Sequence, residues 1–232
     1  MIAGYSPRRG WLQGATAALL VLVCALGAVT QAQAQAQPAP QSPPGEAPHT
    51  LLVMGDSLSA GYGMAATEGW VSLLADELAG SHPDWRVVNA SISGETSAGG
   101  AARIIGEAWR HQPDAVVIAL GANDGLRGLP LAEMRRNLAR MIGVARHVDA
   151  RVLLVGMRMP PNLGPDYTRG FEQVYRDLAD LFDVTLVPFL LEPIALDPDA
   201  YQQDNLHPTE AAQPRILDHI TPSLLPLLNG QP

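Results

Sequence analysis

Residues 51–63 have the sequence LLVMGDSLSAGYG, in which an apolar run ends in a glycine-rich turn that carries a serine. The apolar part, residues 51–54, is typical of a short buried strand, and Gly55 allows the chain to turn sharply after it. Esterases place a nucleophilic serine on such a turn, where small neighbours let a substrate carbonyl approach. Glycine, aspartate and serine are also common in ordinary turns, so Ser57 is a candidate nucleophile only if a base lies nearby.

A candidate base lies near the other end of the chain, in Asp204-Asn205-Leu206-His207-Pro208. A serine hydroxyl is a weak nucleophile at neutral pH and needs a neighbouring base, and imidazole suits this role because its ordinary pKa is about 6.5. The carboxylate three residues earlier can bind the other imidazole nitrogen and fix the tautomer. The same pattern also occurs in ordinary loops before helices. A zinc site is a further alternative, although the remaining histidines show no metal-ligand spacing.

From residue 49 onward, apolar runs alternate with segments whose apolar residues recur at helical spacing. The apolar runs predict five strands, at residues 51–54, 86–89, 115–120, 152–155 and 185–187. The helical segments are residues 70–78, 104–109, 130–145 and 171–181, and a last helix after Pro208 with Thr209 as its cap. Strands that are apolar throughout and separated by helices predict a mostly parallel five-stranded sheet. Helices would cover both of its faces in a three-layer α/β/α sandwich.

This topology predicts where the chemistry-bearing residues meet. In an open parallel sheet, ligands bind at the carboxyl ends of the strands. Ser57 follows the first strand, Gly94 lies in the loop after the second, and Asn123 follows the third. Asp204 and His207 lie beyond the fifth strand. We therefore expect all five residues at one edge of the sheet.

Attack of a serine on a carbonyl creates an oxyanion, which needs fixed hydrogen-bond donors. The candidate donors are the backbone N–H groups of Ser57 and Gly94 and the side-chain amide of Asn123. Glycine at position 94 leaves its N–H open to close approach. The Gly-x-Asn-Asp-Gly pattern around Asn123 is also typical of a turn, so that interpretation stays open. Asp56 is expected to hydrogen-bond the turn beside Ser57 rather than to transfer a proton.

In sequence order, four blocks of the chain resemble those of the SGNH (GDSL) hydrolase family: Gly55-Asp56-Ser57-Leu58-Ser59, Gly94, Gly121-Ala122-Asn123-Asp124 and Asp204-x-x-His207-Pro208. The resemblance covers essentially all of the chain after residue 48. Within the family, the chain is most similar to the periplasmic thioesterase I/protease I/lysophospholipase type and to bacterial arylesterases. One departure is Asn205, where such proteins often carry glycine.

The resemblance implies a flavodoxin-like fold, no cofactor and no metal. It also implies a role for each matching residue. Ser57 would be the nucleophile, with Asp204 and His207 as its catalytic partners. Ser57, Gly94 and Asn123 would bind the oxyanion.

Residues 1–36 have the three parts of a secretory signal peptide: Arg8-Arg9, an uncharged apolar stretch at 11–29, and Ala-x-Ala cleavage patterns. An uncleaved membrane anchor is the alternative, because the apolar stretch is long enough to span a bilayer. Residues 37–48 are rich in proline and predict an extended linker. The hydrolase domain then spans residues 49–230, and we expect it in the periplasm or outside the cell.

Composition limits the partners of the exported chain. The only cysteine, Cys24, lies in the signal, so the mature chain has no disulfide and no thiol nucleophile. Of the 15 basic and 23 acidic residues, Arg8 and Arg9 are removed with the signal, which leaves a net charge of −10. This charge argues against nucleic acid or an anionic membrane as the main partner. We expect a monomer that acts on a small molecule and has no stable membrane insertion.

The sequence therefore predicts a secreted serine esterase or thioesterase that cleaves acyl esters or thioesters through an acyl-serine intermediate. Aryl esters and lysophospholipids are further candidate substrates by resemblance. The alternatives are a carbohydrate deacetylase of the same fold, or a lipid- or carbohydrate-binding module without catalysis. Several apolar loop residues are candidates for an acyl groove, although core or lid packing explains them equally well: Leu126, Leu129, Met157, Met159 and Leu163.

Overall fold

The computed structural model describes residues 49–230, so the predicted signal (1–36) and linker (37–48) lie outside the described residues. Apolar runs that are too short for helices form strands. In three of them, at residues 49–55, 115–119 and 151–155, nearly every side chain is buried on both faces of the sheet. The five strands are β1 (His49–Gly55), β2 (Trp85–Asn89), β3 (Ala115–Ala119), β4 (Arg151–Val155) and β5 (Thr185–Val187).

The strands form one sheet in the order β2-β1-β3-β4-β5, and every neighbouring pair is parallel. In the centre of the sheet, Leu52 of β1 is in register with Val116 of β3, which is in register with Val152 of β4. The predicted parallel sheet is confirmed, and within the described residues it is parallel throughout rather than mostly so. All carboxyl ends therefore lie at one edge.

Seven α-helices connect or follow these strands within residues 49–230. They are α1 (Ser57–Ala60), α2 (Trp70–Ser81), α3 (Ser97–His111), α4 (Ala122–Leu126), α5 (Leu131–His147), α6 (Pro165–Phe182) and α7 (Gln213–Leu228). Short 3-10 turns occur at Pro161–Leu163, Glu192–Ile194, Pro198–Ala200 and Glu210–Ala212. In this part of the chain, no helix combines the length and apolar character needed to cross a bilayer.

Alternate residues of the strands enter two separate cores, because successive side chains of a strand point to opposite faces. Leu51 and Val53 of β1 pack in the core that contains the apolar residues of α2 and α7. Leu52 and Met54 pack in the core that contains those of α3, α5 and α6. These two layers of helices around one sheet confirm the predicted three-layer α/β/α sandwich.

Two local predictions differ from the structure. The last helix begins at Gln213 rather than just after Pro208, and Thr209 precedes a 3-10 turn instead of capping α7. Gln213 is buried, and its Oε1 accepts a hydrogen bond from the backbone N–H of Trp70 at 3.0 Å. This contact satisfies a free N–H at the start of α2. The second difference is that residues 122–126, which have turn-forming composition, make the short helix α4.

We expect Gly100→Ala to lower the free energy of unfolding by about 1 to 3 kcal/mol, because overpacking forces a close contact apart. Gly100 is a buried residue of α3, and an added Cβ would press against Leu120 and the sulfur of Met141. Gly106→Ala on the same helix is the control, since nothing lies within 4 Å of its Cβ position. Alanine there should raise the free energy by about 0.5 to 1 kcal/mol. Urea denaturation measures both, and equal stabilities would contradict the prediction.

Candidate active site

Ser57 is the first residue of α1, the short helix that begins where β1 ends. Asp56 caps this helix, since its Oδ1 accepts a hydrogen bond from the backbone N–H of Leu58 at 3.0 Å. Gly55 leaves the space that the turn needs, because a Cβ there would lie 2.7 Å from the side chain of Ser59. The strand, the glycine and the capping aspartate together hold Ser57 at the carboxyl edge of the sheet.

A hydrogen-bonded line joins Ser57, His207 and Asp204. Nε2 of His207 lies 2.8 Å from Oγ of Ser57, and Nδ1 lies 2.7 Å from Oδ2 of Asp204. With a proton on Nδ1 facing the carboxylate, Nε2 is left as an acceptor for the Ser57 hydroxyl. The structure thus brings together the three residues that the sequence singled out, while their catalytic roles stay a prediction.

Asp204 also shapes the loop that carries His207. Its Oδ1 accepts hydrogen bonds from the backbone N–H groups of Leu206 at 2.9 Å and His207 at 3.0 Å. The backbone and ring N–H groups of His207, followed by the N–H of Leu206, lower the pKa of Asp204 to about 2. The carboxylate is therefore charged at neutral pH. Asn205 has a φ of +54°, in the left-handed region that asparagine adopts more readily than most residues, so it can stand in place of glycine here.

The loop after β2 lies against the turn that carries Ser57, because the N–H of Ile92 donates to the carbonyl of Gly55 at 3.0 Å. Gly94 in this loop has a φ of +78°. The N–H groups of Gly94 and Ser57 make no backbone hydrogen bond within the part of the chain that the structure describes. Both donors are thus available to a ligand.

Asn123 faces the same loop from α4. Its Nδ2 lies 3.1 Å from the carbonyl oxygen of Glu95 and 3.4 Å from Oδ2 of Asp56. The amide therefore has one good acceptor and one long contact. The structure places this side chain, like Gly94, beside the Ser57 turn.

Two arginines hold the loop that contains Gly94. Arg103 of α3 pairs with the carboxylate of Glu95 through Nε at 2.8 Å and Nη2 at 2.6 Å, and Nη2 also donates to the carbonyl of Ala90. Arg127 donates to the carbonyl of Gly94 at 3.0 Å. Sequence reasoning had not singled out Arg103, because an arginine on an amphipathic helix is usually solvated.

Two buried carboxylates flank Asn123. Asp124 accepts hydrogen bonds from the backbone N–H of Ser97 at 2.7 Å and from its hydroxyl at 2.6 Å, which joins α4 to the start of α3. Asp56 is 1% exposed and has only the contacts to Leu58 and Asn123 among these residues. Burial raises the pKa of Asp56 to about 6, against the opposing effect of those two hydrogen bonds.

An apolar cavity of about 280 Å³ opens beside this line of residues. Its walls include Leu58, Ala122 and Leu206, each adjacent in sequence to a candidate site residue. Of the predicted groove residues, three line the cavity: Leu126, Met157 and Met159. Leu129 and Leu163 do not, and Leu163 instead packs against the core under α5 and α6. Further residues that line the cavity lie after β5 and were not predicted from any sequence pattern: Phe189, Leu191, Ala195 and Tyr201.

A metal centre needs several ligating side chains at one point. In residues 49–230, no three His, Cys, Asp or Glu side chains are grouped in that way.

The chain is similar in sequence and in fold to known proteins. Residues 53–214 match the model of the GDSL-like Lipase/Acylhydrolase family. The chain is 50% identical over 182 residues to the esterase TesA of Pseudomonas aeruginosa, covering 78% of this chain and 90% of that protein. It is 43% identical over 184 residues to the thioesterase 1/protease 1/lysophospholipase L1 of Escherichia coli, covering 78% and 85%. A crystal structure of TesA superposes with a TM-score of 0.75 at 49% identity, covering 77% of this chain and 99% of that chain.

The raised pKa of Asp56 predicts a pH-dependent loss of stability. The unfolded chain releases this proton near pH 3.8, whereas the folded protein keeps it until about pH 6. Unfolding therefore becomes easier as the pH rises through this window, by about 3 kcal/mol at pH 7. Asp56→Asn keeps a capping acceptor without this proton, so we expect its stability relative to wild type to rise by about 2 kcal/mol between pH 4 and pH 7.

Urea denaturation at a series of pH values measures this difference. Asp76→Asn, which changes an exposed carboxylate on α2, is the control for loss of one negative charge. Parallel stability curves for wild type and Asp56→Asn between pH 4 and pH 7 would refute the prediction.

Proposed function

The chain belongs to the GDSL-like lipase/acylhydrolase family, and from this premise we propose that it is an exported serine hydrolase that cleaves acyl esters and acyl thioesters. Hydrolysis of ester bonds is the activity class of this family and of this chain. The observation that carries the finer proposal is the line from Ser57 Oγ through His207 to Asp204, at 2.8 and 2.7 Å. A base within hydrogen-bonding reach of a hydroxyl, oriented by a third group, is the arrangement that nucleophilic catalysis requires.

In the proposed first step, Oγ of Ser57 attacks the substrate carbonyl carbon while its proton moves to Nε2 of His207. The negative charge of Asp204 stabilises the imidazolium that forms, and its low pKa keeps it ionised throughout. The proton then passes from Nε2 to the leaving oxygen or sulfur as the bond to the acyl carbon breaks. A water molecule then attacks the acyl carbon while its proton moves to Nε2 of His207. The bond from the acyl carbon to Oγ breaks, the proton passes from Nε2 back to Oγ, and the carboxylic acid leaves.

The charge that develops on the carbonyl oxygen needs donors during both steps. We assign this role to the N–H groups of Ser57 and Gly94 and to the amide of Asn123. Available N–H groups on the first two residues support the assignment. For Asn123, the long contact of 3.4 Å to Asp56 is the one that the oxyanion would replace.

The apolar cavity supports an acyl group larger than acetyl. Its volume of about 280 Å³ and its walls of leucine, methionine and phenylalanine suit an aliphatic chain. We therefore favour medium to long acyl esters and thioesters as substrates, and we include lysophospholipids because one relative carries that name. A polysaccharide deacetylase would need little of this apolar volume.

The proposed location is the periplasm or the outside of the cell, on the evidence of residues 1–36. Their basic, apolar and Ala-x-Ala parts are those of a cleaved signal peptide. The mature enzyme would then act on a small-molecule ester as a monomer, without nucleic acid or cofactor.

We expect a fluorophosphonate probe to label Ser57 in the folded wild-type protein, because the hydroxyl is activated by His207. Ser57→Ala should abolish both the labelling and the hydrolysis of a p-nitrophenyl ester. Ser59→Ala is the control, since this hydroxyl is buried two residues away and makes no hydrogen bond among residues 49–230. Labelling is read by mass spectrometry of the modified peptide. Unlabelled but folded wild-type protein would end the proposed mechanism.

We also expect the rate to depend on acyl length. Octanoyl esters should be cleaved with at least about tenfold higher kcat/KM than acetyl esters, since each buried CH₂ contributes about 0.8 kcal/mol. A series of p-nitrophenyl esters and acyl-CoA thioesters tests this. A preference for acetyl groups, above all on acetylated oligosaccharides, would support the deacetylase instead.

A further inference from the structure

His207 lies on a loop that belongs neither to the sheet nor to a helix. The loop closes where Tyr201 forms an isolated bridge with Pro208, and the N–H of Gln202 donates to the carbonyl of His207 at 2.8 Å. The side-chain hydrogen bonds of Asp204 go to Leu206 and His207 inside the loop. The distance between His207 and Ser57 therefore depends on how this loop is attached to the segment after α1.

The side chain of Gln202 makes that attachment. Its Nε2 donates to the carbonyl of Tyr62 at 2.8 Å and to the carbonyl of Pro208 at 2.9 Å. Tyr62 lies two residues after the end of α1, and its own N–H donates to the carbonyl of Ser57 at 3.2 Å. One carboxamide thus links the residue next to His207 with the turn that carries Ser57, across 140 residues of sequence.

The backbone of Gly63 packs against the side chain of Gln202. Gly63 has a φ of +77°, which disfavours any residue with a Cβ. A Cβ at this position would also collide with Oε1 of Gln202. The contact therefore uses the space that the glycine leaves open.

The ring of Tyr62 packs on the imidazole of His207. Their centroids are 4.4 Å apart and the planes are tilted by 37°. This contact limits rotation of the imidazole, and an aromatic face also attracts the positive charge that the imidazole gains in the proposed mechanism. Gln202 thus holds the backbone beside His207, and Tyr62 packs on its imidazole ring.

We propose that Gln202 is a positioning residue, whose two hydrogen bonds hold His207 at bonding distance from Ser57 and keep Tyr62 against its ring. The inference rests on the proposed function, since it matters only if His207 acts as the base for Ser57. Gln202 touches neither the substrate nor the reacting atoms. It acts through the placement of the imidazole, and a displacement of about 1 Å at such a group can cost about 100-fold in rate.

The test compares Gln202→Glu with Gln203→Glu. Glutamate has the shape of glutamine, but its carboxylate has no N–H to give to the two carbonyls. Gln203 is the exposed neighbour in the same loop. Its variant adds the same charge near His207 but leaves the two side-chain hydrogen bonds of Gln202 in place. We expect kcat for a p-nitrophenyl octanoate substrate to fall about 10- to 100-fold in Gln202→Glu relative to Gln203→Glu. KM should change less than kcat.

Thermal unfolding checks that both variants are folded at the assay temperature. If Gln202→Glu does not fold, Gln202→Met takes its place under the same criterion, because it keeps the chain length without donors or charge. A kcat at least fivefold below that of Gln203→Glu supports the proposal. A smaller difference, or a loss confined to KM or to the melting temperature, overturns it.

Wild-type protein separates this inference from the proposed function. If the wild type hydrolyses the ester and Ser57 is labelled by the fluorophosphonate, equal kcat values for the two variants defeat the role of Gln202 alone. If the folded wild type neither hydrolyses the ester nor takes up the probe, the proposed function fails, and the role of Gln202 fails with it.

Discussion

Ser57 and His207 are 150 residues apart in the sequence, and the fold brings them within 2.8 Å of each other. The sheet order puts β1 between β2 and β3, so the turn after β1 has the loops after β2 and β3 on either side of it. The chain adds β2 on one side of β1 and β3 on the other, and open α/β sheets bind ligands at such a switch point. Ser57, Gly94 and Asn123 share this crevice for that reason. Only His207 and Asp204 reach it from a loop that no strand directs.

The surroundings of the two carboxylates near the imidazole shift their pKa values in opposite directions. Asp204 accepts three N–H hydrogen bonds in an open loop, which lower its pKa to about 2. Asp56 is buried with fewer donors, and its pKa is raised to about 6. The first therefore carries a fixed negative charge beside Nδ1, whereas the second is close to neutrality under mildly acidic conditions. The two carboxylates of one site therefore differ in charge at pH values between about 2 and 6.

The sequence was sufficient for the parts of the protein that are set by burial or by ordered motifs. Strands such as residues 115–119 are apolar throughout because both faces of the sheet are covered. A short apolar run bounded by turn-forming residues can therefore be recognised as a strand from the sequence alone. The start of α7 was misplaced because Pro208 and Thr209 have the composition of a helix start, while the buried contact from Gln213 to Trp70 is tertiary. The cavity residues after β5 and the bridge from Gln202 were missed for the same reason. Each depends on contacts between distant loops.

The charge of Asp56 affects the oxyanion-binding role that we propose for Asn123, because the Asn123 amide contacts the Asp56 carboxylate. Both hydrogens of that amide already face protein acceptors, Glu95 at 3.1 Å and Asp56 at 3.4 Å. An oxyanion can bind only by taking the place of one of them, and the contact to Asp56 is the longer. A fully ionised Asp56 would be the stronger competitor, since charge-assisted hydrogen bonds are about twice as strong as neutral ones. Burial works against that ionised form, so below about pH 6, where Asp56 keeps its proton, its contact with Asn123 is weaker and the proposed oxyanion would displace it more easily.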